Sequence, residues 1–234
     1  MNTPSIKNLD NESPILEEII PGSKRIYFIF GGFFAGMGMM PFEFFKSSQI
    51  LKENKIFFRD FSQAWYQNGL PGIGRDIYEV RDYINQKIAQ LNASEVFFVG
   101  NSMGGYAAIL FSTLVGSGQA IAFAPQTFIS PLKRLKYRDN RWAPQVLKAY
   151  RSSIFKKHHW DLQPLLAKRT DLSTIHIFVS RKNRLDFIHA NQLRCIDNVT
   201  IHEYDVGGHA LVKYLRDAGK LPDILNCKMP NNLS

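Results

Sequence analysis

The chain has 234 residues, a formal net charge of +9 and 45% hydrophobic residues. That length suits one α/β domain with some elaboration, and the apolar content supports a sizeable core, which excludes a disordered chain. The first twenty-odd residues lack the apolar core of a signal peptide and no apolar stretch is long enough to span a bilayer. The two cysteines, Cys195 and Cys227, suggest no disulfide framework, so a cytoplasmic protein is expected.

Short apolar runs alternate with amphipathic ones. "RIYFIF", Arg25–Phe30, reads as a strand that ends at Gly31-Gly32, and "KIFFRDF", Lys55–Phe61, as a second. Between Arg75 and Leu91 the residues Ile77, Val80, Ile84, Ile88 and Leu91 recur at helical spacing, which predicts a surface helix with one buried stripe. Glu95–Val99 is the next strand and Met103–Leu114 the next helix. "QAIAFAP", Gln119 to Pro125, Thr174–Val179 and Val199–Tyr204 complete a set of six strands, with helices after the last two, from Asp186 and from about His209. The alternation predicts a mostly parallel sheet with helices on both faces.

In "VFFVGNSMGGYAA", Val96 to Ala108, a buried strand turns into a helix through a serine set among glycines. A sharp turn there lifts one side chain out of the carboxyl edge of the sheet, where functional groups of open parallel sheets collect. Glycines remove the Cβ atoms that would clash, and the free N–H groups of the helix start favour negative charge. The pattern is that of a G-x-S-x-G nucleophile elbow presenting Ser102. A serine hydroxyl needs a base. His158 and His159 sit in a basic stretch and read as solvated. His176 and His202 lie within strands and His189 on a helix. His209, in "DVGGHALVKYL", follows the last strand at the start of the final helix, from which it can reach over the sheet to the elbow.

The elbow "GNSMGG", the late "GGHA" and the strand order resemble the α/β-hydrolase superfamily from Arg25 to about Leu221, with the opening strands of a full-length hydrolase missing or degenerate in residues 1–24. The order serine, acid, histidine is the one that fold uses. The resemblance implies a triad acid in the loop "SRKNRLDFIHANQL". The usual position falls near Asn183, which cannot supply a negative charge. Asp186 is the only carboxylate of the loop and the expected acid, although it is also placed to cap the following helix. Asp205 is the reserve. The resemblance also implies an oxyanion hole made by the N–H of Met103 and an N–H of "GGFF", assigned to Phe33. Gly32 and Phe34 fall beside the substrate, and "FAGMGMMPFEFF" is an apolar segment that suits either an acyl-pocket wall or core packing.

Charge is uneven. Residues 126–173 carry eleven Lys or Arg against three Asp, a net +8, interleaved with Phe128, Tyr137, Trp142, Tyr150, Phe155 and Trp160. The fold commonly inserts a lid at this place. A basic cover, with Lys156 and Lys157 at its densest point, suits an anionic substrate or surface such as an acyl-CoA, an acidic glycan or lipid headgroups, and a merely solvated basic face equally well. No nucleic-acid module is visible, and "GGFFAGMG" lacks the lysine of a phosphate loop. The expected activity is a serine esterase or thioesterase acting on a small-molecule or glycan acyl ester, with no metal and no organic cofactor. The alternatives are an acyltransferase of the same architecture and a binding protein that keeps the fold.

Overall fold

The computed structural model describes residues 13–33, 42–152, 159–168 and 173–227. Its seven strands run β1 (Ile15–Glu18), β2 (Arg25–Phe30), β3 (Asn54–Phe58), β4 (Glu95–Asn101), β5 (Gln119–Phe123), β6 (Thr174–Ser180) and β7 (Val199–Tyr204). They form one sheet in the order β1-β3-β2-β4-β5-β6-β7, parallel throughout except for the antiparallel pair β1–β3.

Alternation along the strands divides the core. Ile26, Phe28, Phe30 and Phe98 join one buried cluster with α1 (Ile77–Gln90) and α2 (Met103–Val115). Tyr27, Ile29, Phe97 and Val99 join a second cluster on the opposite face. There they meet Leu211 and Leu215 of a short helix, Leu211–Asp217, and Ile224 of the last one, Leu221–Leu225. Apolar burial on both faces explains why β2 and β4 read as unbroken hydrophobic runs. Between β5 and β6 the chain forms α3 (Pro131–Tyr137), α4 (Ala143–Ser152) and α5 (Leu162–Leu166). In chain order, α6 (Arg184–Asn191), α7 (Leu211–Asp217) and α8 (Leu221–Leu225) follow, α7 being entered through a 3-10 turn at Gly208–Ala210.

Two expectations need correction. Residues 1–24 do hold a strand: β1 hydrogen-bonds to β3 with Ile15 opposite Phe58, and Glu18 pairs with Lys55 at 2.8 Å. Four residues, two of them acidic, carry too little apolar alternation to announce an edge strand. The strand expected over Lys55–Phe61 stops at Phe58, because the Asp60 carboxylate accepts from the backbone N–H groups of Ser62, Ala64 and Tyr66 and folds the chain into a turn.

The glycines around the elbow are required by contact. A Cβ on Gly104 would lie 2.1 Å from the carbonyl oxygen of Phe30, and one on Gly100 would lie 2.1 Å from that of Gly104. Both obstacles are backbone, so neither can swing aside. Gly104→Ala is therefore expected to destabilise the fold by about 3 kcal/mol, at the upper end of overpacking costs. Gly105→Ala, whose Cβ meets Pro125 at 3.1 Å, should cost less. Urea midpoints of the two variants check the ranking.

Candidate active site

Ser102 is the residue where β4 becomes α2. Its backbone sits at φ 56° and ψ −116°, a conformation that a side-chain-bearing residue occupies only under strain. The surroundings enforce it: the Ser102 N–H donates to the Phe123 carbonyl at 2.9 Å, and its own carbonyl accepts from Tyr106 N–H at 3.1 Å. Ser102 is 4% exposed, and its Oγ is buried without a hydrogen-bond partner. Met103 follows as the first residue of α2, also buried.

The histidine and the acid come from the neighbouring strand ends. Asp186 lies in the first turn of α6 after β6, and His209 in the 3-10 turn after β7. His209 Nδ1 stands 2.7 Å from Asp186 Oδ2. A carboxylate oxygen only accepts, so this bond fixes a proton on Nδ1 and leaves Nε2 as the basic nitrogen. Asp186 is not the helix cap. Asn183 takes that task, its side chain accepting from the Asp186 N–H at 3.1 Å, which leaves the Asp186 carboxylate for His209. Asp205 points elsewhere: it is exposed and held by Arg181, with Arg181 Nε 2.8 Å from its Oδ1.

Because β4, β6 and β7 are parallel, Ser102, Asp186 and His209 all follow strands at one edge of the sheet. No hydrogen bond joins His209 to Ser102 in this state.

The turn after β2 closes the site from the other side. A Cβ on Gly32 would lie 3.0 Å from the Asn101 carbonyl oxygen, 3.2 Å from Glu43 Oε2 and 3.8 Å from Ser102 Cβ, so a larger residue would crowd this close approach to the serine. The Phe33 ring stacks on Trp142 at 4.4 Å and meets Trp65 edge-on at 4.8 Å. Phe34, Lys156 and Lys157, and the apolar run from Phe34 to Pro41, lie outside the described residues.

Three residues of this neighbourhood carry no signal of their role in the sequence. Glu43 folds back so that its Oε2 accepts the Gly32 N–H at 2.7 Å and its Oε1 accepts from Asn101 Nδ2 at 3.1 Å. Burial lifts its carboxyl up to about 6, against the opposing pull of these two donors and of His209. Arg141, on the turn between α3 and α4, donates to Asp186 Oδ1 at 2.7 Å and grips Asp139 with Nε at 3.0 Å and Nη2 at 2.9 Å. Burial opposes the charge on Asp139, but His189 and Arg141 outweigh it and hold the carboxyl well below its usual range. Trp142, the next residue, has φ 55° and supplies the ring on Phe33. Adjacent residues of the basic segment thus touch both Asp186 and Phe33. His159 is likewise not solvated: it is 1% exposed and its Nε2 lies 2.8 Å from the Tyr78 hydroxyl, inside the packing between that segment and α1. Among the described residues there is no group of three or more His, Cys, Asp or Glu able to hold a metal ion.

The Glu43 shift has a testable sign. A carboxyl whose folded value is about 6 and whose unfolded value is near 4.5 binds more protons folded than unfolded between those limits. Stability therefore falls as pH rises through that window, by about 2 kcal/mol in total. Glu43→Gln cannot ionise. The stability difference between variant and parent should shift in the variant's favour by about that amount from pH 4 to pH 7.5, whatever the constant offset from the altered hydrogen bonds. Chemical denaturation at the two pH values reads it.

No family model and no curated protein matches the chain. Solved structures do. The capsule O-acetyltransferase of Neisseria meningitidis serogroup A superposes with a TM-score of 0.64 at 16% identity, over 88% of each chain. A lipase-esterase related protein from Clostridium acetobutylicum gives 0.58 at 12% identity, covering 92% of this chain and 99% of that one. MenH from S. aureus gives 0.55 at 13%, covering 91% and 96%. With its nearly parallel sheet, its helices on both faces and its strained serine between β4 and α2, the chain has the fold of the α/β-hydrolase superfamily.

Proposed function

We propose that the protein is an enzyme that transfers an acyl group through Ser102, in the manner of a serine esterase or thioesterase. The observation that carries this reading is the strained Ser102 at a helix start, with a hydrogen-bonded His209–Asp186 pair at the same sheet edge. Ser102 Oγ attacks the carbonyl carbon of an ester or thioester while His209 Nε2 takes its proton. The Met103 and Phe33 N–H groups receive the oxyanion. The intermediate collapses, the C–O or C–S bond to the leaving group breaks, and His209 returns its proton to that group. Water, or another hydroxyl, then attacks the acyl carbon as His209 Nε2 takes its proton, the acyl–Oγ bond breaks, and His209 returns the proton to Ser102 Oγ as the acid or new ester leaves. Asp186 holds the imidazole in the required tautomer and stabilises its charged form, and Arg141 positions Asp186.

A second reading has its own support. The chain shares its fold, over most of both lengths, with a capsule O-acetyltransferase, which favours an acceptor hydroxyl of a glycan in place of water. The two readings share the acyl-enzyme and differ in what discharges it. A panel of activated esters and acyl-CoA thioesters, with and without sugar acceptors and read by product mass, tests both. Free acid alone supports the hydrolase, acylated sugar supports the transferase, and no turnover of any donor contradicts the whole reading.

A further inference from the structure

The segment between β5 and β6 sorts its cations into two sets. Lys133 reaches Asp161 at 2.7 Å, Arg134 reaches the Arg141 carbonyl at 2.7 Å, and Arg141 binds Asp139 and Asp186. These satisfy acids and carbonyls within the domain. Lys136, Arg138 and Arg151 are exposed. From Gln126 to Trp160 the sequence holds a single carboxylate, Asp139, and that one is buried under His189 and Arg141.

Apolar side chains share this surface. Leu132 is 81% exposed and Leu135 79%, the most exposed large hydrophobic residues among those described, and they lie one turn apart on α3. Leu147 on α4 is 47% exposed. Single exposed leucines are ordinary, but two this exposed, one turn apart on a helix that also exposes Lys136, in a segment whose one carboxylate is buried, are not explained by folding. Solvation alone would call for the cations and not the leucines. A free soluble polyanion would likewise use only the cations. An anionic bilayer uses both: headgroups take the lysines and arginines, and the leucines enter the acyl boundary. No helix among the described residues is long and apolar enough to cross a membrane.

We propose that the exposed side of α3 and α4 is a docking surface for an anionic lipid bilayer, gripped by Lys136, Arg138 and Arg151 and inserted through Leu132, Leu135 and Leu147. The turn that joins the two helices carries Arg141 and Trp142, so the bilayer-bound face is continuous with the elements that touch Asp186 and Phe33. The inference does not depend on which acyl acceptor the enzyme uses.

Vesicle flotation of the full chain tests it. Binding is expected to vesicles of phosphatidylcholine with phosphatidylglycerol and not to phosphatidylcholine alone, and to weaken as salt rises. Leu132→Ser with Leu135→Ser, and separately Lys136→Glu with Arg138→Glu, should each lower the partition coefficient on the order of tenfold or more, since each cation near an anionic surface contributes substantially. Both double variants should turn over a small soluble ester like the parent, because none of the four residues touches the site. Absence of binding to phosphatidylglycerol vesicles would overturn the proposal. So would leucine variants that bind as well as the parent, which would point to a soluble acidic glycan, and so would leucine variants that instead abolish a dimer in solution.

Discussion

Ser102→Ala is expected to lower turnover of an activated ester by about 10⁴-fold or more while leaving the fold intact, because the nucleophile of a serine–histidine pair acts as part of a unit whose loss removes most of the chemistry. Substrate binding should change little, so the loss falls on kcat. The same position offers a second readout. Ser102 holds φ 56° and ψ −116°, and glycine enters such regions without the steric cost that a Cβ imposes. Ser102→Gly should be equally inactive and yet more stable than Ser102→Ala, by about 1 kcal/mol or more. Thermal melts of the two dead variants separate a backbone strained for the sake of the nucleophile from an ordinary turn.

Asp186→Asn should be the second most damaging single change. The amide has the shape of the acid but no charge, and it can present its NH₂ to His209 and favour the wrong tautomer. Losses near 10⁴-fold in kcat accompany that change where a triad acid is concerned. A stability cost accompanies it, because Arg141 loses one of its two buried anionic partners. Asp205→Asn should be close to parental in both respects, since its bond to Arg181 is a surface ion pair worth little. Steady-state kinetics of the two variants at one pH read the contrast, and a reversed ranking would move the acid to Asp205.

The parts of this site that lie at strand ends were readable from residue order alone. A glycine-flanked serine between a buried strand and a small-residue helix leaves few other backbone solutions, and a histidine behind two glycines after the last strand must emerge at the same edge. Asp186 was readable because it is the only carboxylate of its loop, and its apparent conflict with a capping role disappears once Asn183 is seen to cap α6. Glu43 was not readable. It sits within an apolar run, and only the return of the chain after residue 41 brings it to Gly32 and Asn101. Arg141 was hidden for the opposite reason: among eleven cations one guanidinium looks like its neighbours, and sequence spacing does not reveal which one meets two buried carboxylates. β1 was too short and too acidic for its alternation to stand out.

An acyl group that passes through Ser102 leaves a covalent mark on that residue, and its detection is decisive. Rapid acid quenching of the enzyme mixed with an activated acyl ester, followed by peptide mass mapping, tests it most directly. One acyl group per chain is expected, on the peptide that contains Ser102, appearing in a burst before steady turnover, and the burst should be lost in His209→Ala. An acyl group carried elsewhere, or turnover with no acylated Ser102 at any time, would contradict it.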